Sequence, residues 1–437
     1  MCDQTSTQKW RASAPAVHPV PQLTLPQARE ILTDSGHRLL IYNRSDAEVT
    51  QLRAIRAGGA AEAPTAATAM LLSPMLREGA EDISPAAMEE LLELCGATLN
   101  TAVHPHHHSL TLSTLTSHWD EVLPTFVNQV LRPTFESERL SIHAAAAASN
   151  IEVQMEKVSY LAGTRGRSAA MGAANPLARV AKPEELRAIT RKTLTDMHRR
   201  YDRMPMTLIL AGKVTDIMVR TLTNLLRDSP ASEPYTPELC QLCPEPAGLI
   251  ESIHRPGSSQ SAVMMTIPAI NRDHADYLPL HIAVGALGGY FGSRLMLNLR
   301  EDKGYTYGVS ASLTGYPDGS FVSIASECDN RYTAALIDET RRELTRLASD
   351  PPRGEELMRL RQAMSSSLLE TLESPLSVAD FYATMTVAGI PAGYFDAKAK
   401  LLTHLTPEII ADVAARYLSP DRLRVTVAGD TAVSGII

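Results

Sequence analysis

The sequence predicts an α+β protein of two homologous domains, each a mostly antiparallel sheet with helices packed on it. Three observations lead there: a duplication of the chain, a proline-rich segment between the copies, and a mixture of strand-like and helix-like periodicity within each copy. The duplication is read from register. Thr190 stands six residues before Asp196 and eleven before Tyr201; Thr406 stands at the same distances before Asp412 and Tyr417, and Arg200 and Arg416 precede the two tyrosines. In each copy the threonine is placed to cap a helix, apolar residues then recur every three to four positions, and an apolar strand follows over 206–211 or 423–428, before Gly212 or Gly429. The offset from Thr190 to Thr406 is 216 residues, so two such units fill the 437 residues.

The boundary follows from composition. Residues 229–248 hold Pro230, Pro234, Pro237, Pro244 and Pro246 and read as an inter-domain linker. The expected organisation is a mobile tail over 1–22, a first domain over 23–228, the linker over 229–248 and a second domain over 249–437. Alternating strands over 38–42 and 49–55 and a helix over 85–94 place the elements of the first domain.

Bulk properties narrow the function classes. Hydrophobic residues make up 44% and charged residues 21%, ordinary values for a soluble globular chain. A net charge of -8 lacks the electropositive footprint of a nucleic-acid binder. No apolar run reaches the ~18 residues of a membrane span, so no transmembrane segment is expected. The five cysteines, Cys2, Cys95, Cys240, Cys243 and Cys328, are too scattered for a disulfide scaffold, which leaves cytoplasm and periplasm both open. Met1-Cys2-Asp3 reads first as an ordinary cytosolic start, with a mature bacterial lipoprotein anchored through Cys2 as the lesser alternative.

The most informative segment is Gly288-Gly289-Tyr290-Phe291-Gly292-Ser293-Arg294-Leu295 followed by Leu299-Arg300-Glu301-Asp302-Lys303-Gly304-Tyr305-Thr306-Tyr307. Read physically, a glycine turn delivers Ser293 as a helix N-cap, a short helix runs to Lys303, Gly304 ends it, and an alternating strand begins at Tyr305. A phosphate cradle would need Gly-Lys-Ser/Thr at this turn, which is absent. From the residues alone, Arg300 and Tyr307 serve either a ligand or an ion pair and a packed strand.

This segment resembles the second-domain signature of the pitrilysin and insulinase peptidase family, whose smaller members include processing peptidases. The resemblance extends from about residue 25 to the end, with the second-domain motif as its specific part. It implies a clamshell half in which Arg300 and Tyr307 bind the peptide and help stabilise the oxyanion, with Tyr305 the alternative two residues away. Active relatives carry His-x-x-Glu-His on a first-domain helix, where two histidines bind zinc and the Glu activates water. Aligned through Gly79 and Cys95-Gly96-Ala97-Thr98-Leu99-Asn100, that motif falls on Met70-Leu71-Leu72-Ser73-Pro74. Met70, Ser73 and Pro74 replace the ligands and the base, and Pro74 removes a backbone donor. The third ligand would fall near Glu152, with Glu156 a turn later, and a carboxylate alone does not hold zinc. No metal is therefore expected in this chain, and zinc is expected in a homologous partner subunit carrying His-x-x-Glu-His. Asn100, Thr101 and Ala102 match the edge strand on which relatives lay substrate by backbone pairing.

Three further features are weighed beside these. His104, His106 and His108 alternate on one expected strand face, but Pro105 marks an edge and no acidic residue accompanies the run. Cys240 and Cys243 lie in the linker without a second pair. His118-Trp119-Asp120-Glu121 is a fragment of the zinc pattern without its second histidine. The leading expectation is a substrate-binding subunit of a heterodimeric zinc peptidase. An inactive scaffold, or a peptide-binding maturation accessory of the same fold, is the other class.

Overall fold

A computed structural model describes residues 23–431 except 45 and 47. The expected tail over 1–22 and Cys2 lie outside the described residues. Two sheets form, one from each copy of the repeat. The first copy supplies β1 (Arg29–Leu32), β2 (Arg38–Asn43), β3 (Val49–Ala57), β4 (Thr98–Val103), β5 (His107–Leu115) and β6 (Thr207–Gly212). The second supplies β7 (Ile250–His254), β8 (Gln260–Ala269), β9 (Thr306–Tyr316), β10 (Gly319–Asp329) and β11 (Arg424–Gly429). Their orders, β1-β2-β6-β3-β5-β4 and β7-β11-β8-β10-β9, are the same once β1 is set aside. Each sheet has one parallel pair, β2 with β6 and β7 with β11, and is otherwise antiparallel. The duplicated helix-strand unit accounts for that pair, because its strand returns late in the chain to a central place in the sheet.

The helices of the first copy are α1 (Ala66–Met75), α2 (Pro85–Leu94), α3 (Trp119–Leu131), α4 (Ser137–Met155), α5 (Val158–Met171), α6 (Pro183–Ala188), α7 (Arg191–Arg199) and α8 (Asp216–Leu225). Those of the second are α9 (Tyr277–Gly288), α10 (Thr333–Ser349), α11 (Gly354–Leu372), α12 (Pro375–Ala388), α13 (Tyr394–Thr403) and α14 (Pro407–Tyr417). The starts obey local chemistry: Ser84 accepts from Ala87 N ahead of α2, and Thr190 from Thr193 N ahead of α7. Thr406 departs from expectation. Its side chain makes no N-cap hydrogen bond, and Pro407, with its preset φ and no N–H to satisfy, opens α14 instead.

Each copy has its own core. Leu52, Leu110 and Leu112 of the first sheet pack on Leu72 and Met75 of α1, and Val263, Met265 and Ile267 of the second on Leu280 and Leu287 of α9. The copies are joined by exchange. Corresponding helices α5 and α12 each pack on the sheet of the other copy, α5 on β8 and β11, α12 on β6, β2 and β3. Small residues allow this closeness: Ala162 meets Ala262 and Ala428, while Ala379 and Ala383 meet Leu40, Ile55 and Ile209. A Cβ on Gly166 of α5 would fall 2.4 Å from Met264 Cγ. Ion pairs flank both contacts, Arg165 to Glu251 at 2.6 Å and Arg53 to Asp380 at 2.5 Å.

The proline-rich stretch is tied to the body at several points. Cys243 N donates to Met171 O, Glu245 N to Ala169 O, and Cys240 N to Asp318 Oδ1, at 2.9, 2.9 and 2.7 Å. Among the described residues no helix is long and apolar enough to cross a membrane.

The Ala-Gly ending of the repeated strand has a steric cause. Gly212 has φ +107°, and a Cβ there would lie 2.1 Å from Val49 O. Gly212→Ala is expected to lower unfolding free energy by about 1–3 kcal/mol, measured by urea titration. A midpoint equal to wild type would contradict that account.

Candidate functional site

The motif segment sorts its residues by use. Glycine at 288 lets α9 lie against β9, since a Cβ would approach Ala311 N to 2.7 Å. After the turn, Leu295 and Leu299 are fully buried in the second core. Arg294 is buried and holds Glu356 through two hydrogen bonds of 2.7 and 3.1 Å, and Lys303 reaches Glu339 at 3.3 Å. These residues are spent on the fold. The short helix is a wide π turn, Met296–Asp302, closed by Gly304 at φ +63° and by Tyr305 N donating to Leu299 O at 2.9 Å. Ser293 is not its N-cap: its buried hydroxyl makes no hydrogen bond within the protein, and its carbonyl accepts from Leu297 N.

Tyr307 has no such duty, and Arg300 pairs with its exposed sequence neighbour Glu301 instead of a buried partner. Tyr307 is 91% exposed on β9, an edge strand of the second sheet. The Arg300 guanidinium lies 4.7 Å from the centroid of Phe291 and 3.2 Å from Glu301. Both residues line one open cavity of about 620 Å³, with Gln260 and Glu327 beside them. Tyr305 precedes the strand and stacks on Tyr332 at 4.8 Å, partly buried against the core. Both tyrosines line the cavity, and Tyr307 is the more exposed of the two. Phe291, the platform under Arg300, is marked in the sequence only as a bulky aromatic placed between glycines.

On the first copy, Thr65 caps α1 and Pro74 sits inside its last turn. The expected disturbance of the helix is small, because Leu76 N still reaches Leu72 O at 2.9 Å. Met70 is 41% exposed. Ser73 Oγ donates to Thr101 O at 3.1 Å and Thr101 Oγ1 donates to Ser73 O at 2.7 Å, sewing α1 to β4. Asn100, Thr101 and Ala102 lie on β4, an edge of the first sheet, paired with β5 on one side. Glu152 is held by Arg187 at 2.7 Å, and Glu156 by Arg255. A thioether, a hydroxyl and a proline do not make a catalytic zinc set, so the residues present do not fit that metal here.

The two places are connected. A cavity of about 880 Å³ runs from Met70, Ser73 and Val103 to Thr314, Tyr316 and Phe321 of the second sheet. A smaller one of about 400 Å³ shares Ser159, Gly163 and Met264 with it, and shares Thr306, Tyr307 and Glu327 with the cavity of Arg300. Shared walls make one trough from the stripped helix, past α5, to the Arg-Tyr pair.

The histidine run is not a strand-face triad. β4 ends at Val103 and β5 starts at His107, so His104 and His106 lie in the turn between them. His104 meets Ser109 Oγ at 3.1 Å and His108 meets Gly58 O at 2.7 Å. Contrary to expectation, two carboxylates attend the run. The fully buried His106 lies between Glu62 Oε1 at 2.7 Å and Asp318 Oδ2 at 2.6 Å, and the Tyr235 hydroxyl of the linker is 2.9 Å from both Glu62 Oε1 and the His106 carbonyl. Burial opposes the charge on His106, but Asp318 and Glu62 outweigh it and raise its pKa to about 9. Burial, with the His106 charge beside it, lowers His107 to about 4. The cluster fastens both sheets and the linker together, a structural role.

Residues 188–364 match the family model described as the peptidase M16 inactive domain. That stretch, less than half of the chain, is similar to a domain of the M16 peptidase family. This is the pitrilysin and insulinase family that the motif resembles. Relatives include an uncharacterized zinc protease of Streptomyces coelicolor, 25% identical over 198 residues, covering 44% of this chain and 43% of that protein. Another, of Bacillus subtilis, is 24% identical over 179 residues, 41% of this chain and 42% of its own length. The match thus spans less than half the length of these curated relatives. Among solved structures, an M16 inactive domain from Pseudomonas fluorescens superposes with TM-score 0.84 at 22% identity, over 93% of this chain and 98% of that one. A protease from Helicobacter pylori gives 0.80 at 15%, over 93% and 100%. At such identities the structures share the M16 fold, which agrees with the α+β architecture expected from the sequence.

Proposed function

We propose that this chain is the non-catalytic, substrate-binding subunit of a heterodimeric zinc metallopeptidase. A homologous partner with His-x-x-Glu-His supplies the zinc and its bound water, and this chain supplies Arg300 and Tyr307. One observation supports the reading: the motif's buried leucines, Arg294 and Lys303 go to packing and ion pairs, while Arg300 and the exposed Tyr307 line one open cavity together with their neighbours Glu301 and Tyr305. A guanidinium over an aromatic face is a fixed cation for the peptide carbonyl or carboxylate, and a free phenol is a donor for the oxyanion. An extended peptide would pair with β4 at Asn100, Thr101 and Ala102, whose outer edge is open in the sheet order.

The test is reconstitution. The chain mixed with its His-x-x-Glu-His homologue is expected to form a stable complex that cleaves unstructured peptides, while either alone does not, and chelation of zinc should abolish cleavage. A complex that binds peptide without cutting it would favour the accessory or scaffold reading; failure to associate would end the proposal.

A further inference from the structure

We propose that Cys95, His118 and Glu121 form a divalent metal site, fitted to zinc, that braces α2 against α3. The three donors come from the C-terminus of α2, the 3-10 turn Thr116–His118 after β5 and the first turn of α3. Cys95 Sγ lies 3.5 Å from Glu121 Oε2, His118 Nδ1 lies 3.1 Å from Glu121 Oε1, and all the ligand atoms fall within 4.8 Å of one another. A tetrahedral zinc with Zn–S of about 2.3 Å and Zn–N or Zn–O of about 2.0–2.1 Å holds its ligand atoms roughly 3.4–3.6 Å apart. The Cys95–Glu121 and His118–Glu121 spacings meet this within tenths of an ångström, and the remaining pair, within 4.8 Å, closes by a side-chain rotation of the accessible His118.

The chemistry of the donors narrows the ion. A thiolate and an imidazole select zinc over magnesium or calcium, which prefer oxygen alone. The arrangement is also graded for entry. Cys95 is buried in the first core, His118 is half-buried, and Glu121 is exposed, so the soft ligand waits at the bottom and the rim is open to solvent. Without metal, the thiol donates its proton to Glu121 Oε2 and the imidazole N–H occupies Oε1. Binding releases the thiol proton to solvent, and the imidazole changes tautomer by exchange with solvent, giving up its Nδ1 proton and taking one on Nε2, so that Nδ1 coordinates. The three protein donors leave a fourth position for water.

This site is independent of the Arg-Tyr trough, none of whose cavities any of the three residues lines. It also differs from the stripped helix α1. The fragment His118-x-x-Glu121 that lacks a second histidine along the chain is completed across space by Cys95.

The test uses the full chain, freed of metal by chelation and kept reduced, titrated with cobalt(II) as probe and then with zinc. One equivalent is expected, with a thiolate-to-cobalt charge-transfer band that zinc abolishes. C95S should lose the band. H118A and E121Q, both on accessible side chains and safe for folding, should each weaken binding at least about tenfold, the minimum for altering even an outer-shell partner. Zinc should raise the Tm of wild type more than that of E121Q. C240S/C243S should keep the band, since the linker thiols are elsewhere. Absence of the band in wild type, its loss in C240S/C243S, or unchanged affinity in both H118A and E121Q would overturn the site.

Discussion

In the reconstituted pair, Tyr307→Phe is expected to lower kcat about a hundredfold with little change in KM, the loss found when one oxyanion donor is removed. The reasoning is that the hydroxyl is needed where charge develops in the transition state, so ground-state peptide binding survives its removal. Arg300→Ala is expected to cost a comparable factor in kcat/KM with a larger share in KM, because a cation held over Phe291 also grips the bound peptide. Arg300→Lys should recover only part, since an ammonium retains charge but not the planar fork. Thermal melts separate these effects from folding. Tyr307 is 91% exposed, and the partners of Arg300 are surface groups, so both variants should unfold within about 0.5 kcal/mol of wild type. Rates unchanged in Tyr307→Phe would remove its assigned role and leave the fold assignment untouched.

The second large effect concerns the cluster that closes the two halves. His106→Gln is expected to destabilise the chain by roughly 3–5 kcal/mol at pH 7, because two carboxylates stay enclosed after their cation is gone. His106 is fully buried between Glu62 and Asp318, whose side chains are 13% and 0% exposed, so solvent does little to relieve them. His106→Gln combined with Asp318→Asn should regain part of the loss, which a purely steric defect would not. The pH dependence has a definite sign. The folded pKa of about 9 lies above the unfolded value near 6.5, so the stabilisation is complete below pH 6.5 and fades as pH rises through 9. Glu62 moves the other way: burial resists its ionisation, yet His106 and Gly59 N hold its carboxyl below the usual range, so its share is lost in acid. Urea midpoints of wild type and His106→Gln should converge toward pH 10; a constant gap would show that the charge is not what matters.

Much of the fold was legible because its signals are local or repeated. Thr190 and Thr406 with their partners announced the duplication, and Pro85 with Ser84 announced a helix that forms at 85–94. That Met70, Ser73 and Pro74 carry no zinc-binding donor set was legible for a simpler reason: which donor atoms a side chain carries is a property of the residue, whatever the surroundings. The presence of Arg300 and Tyr307 was legible in the same way.

Which residues meet was decided only by the tertiary structure. His106 and Asp318 are 212 residues apart, and Glu62 is 44 residues from His106, so no run of sequence joins a histidine to its two carboxylates. Cys95 reaches Glu121 across 26 residues for the same reason. Tyr332 stacks on Tyr305 while Tyr307 stands in solvent, a difference that no spacing in the sequence states. The exchange of α5 and α12 was equally unreadable, since a small-residue face on a helix states that something packs there but not which sheet. By itself the sequence determined the units, their order and the chemistry each residue carries, because capping, periodicity and side-chain identity act within a few residues. The tertiary structure determined the neighbours, because contact between distant segments is set by how two sheets and their exchanged helices close on each other.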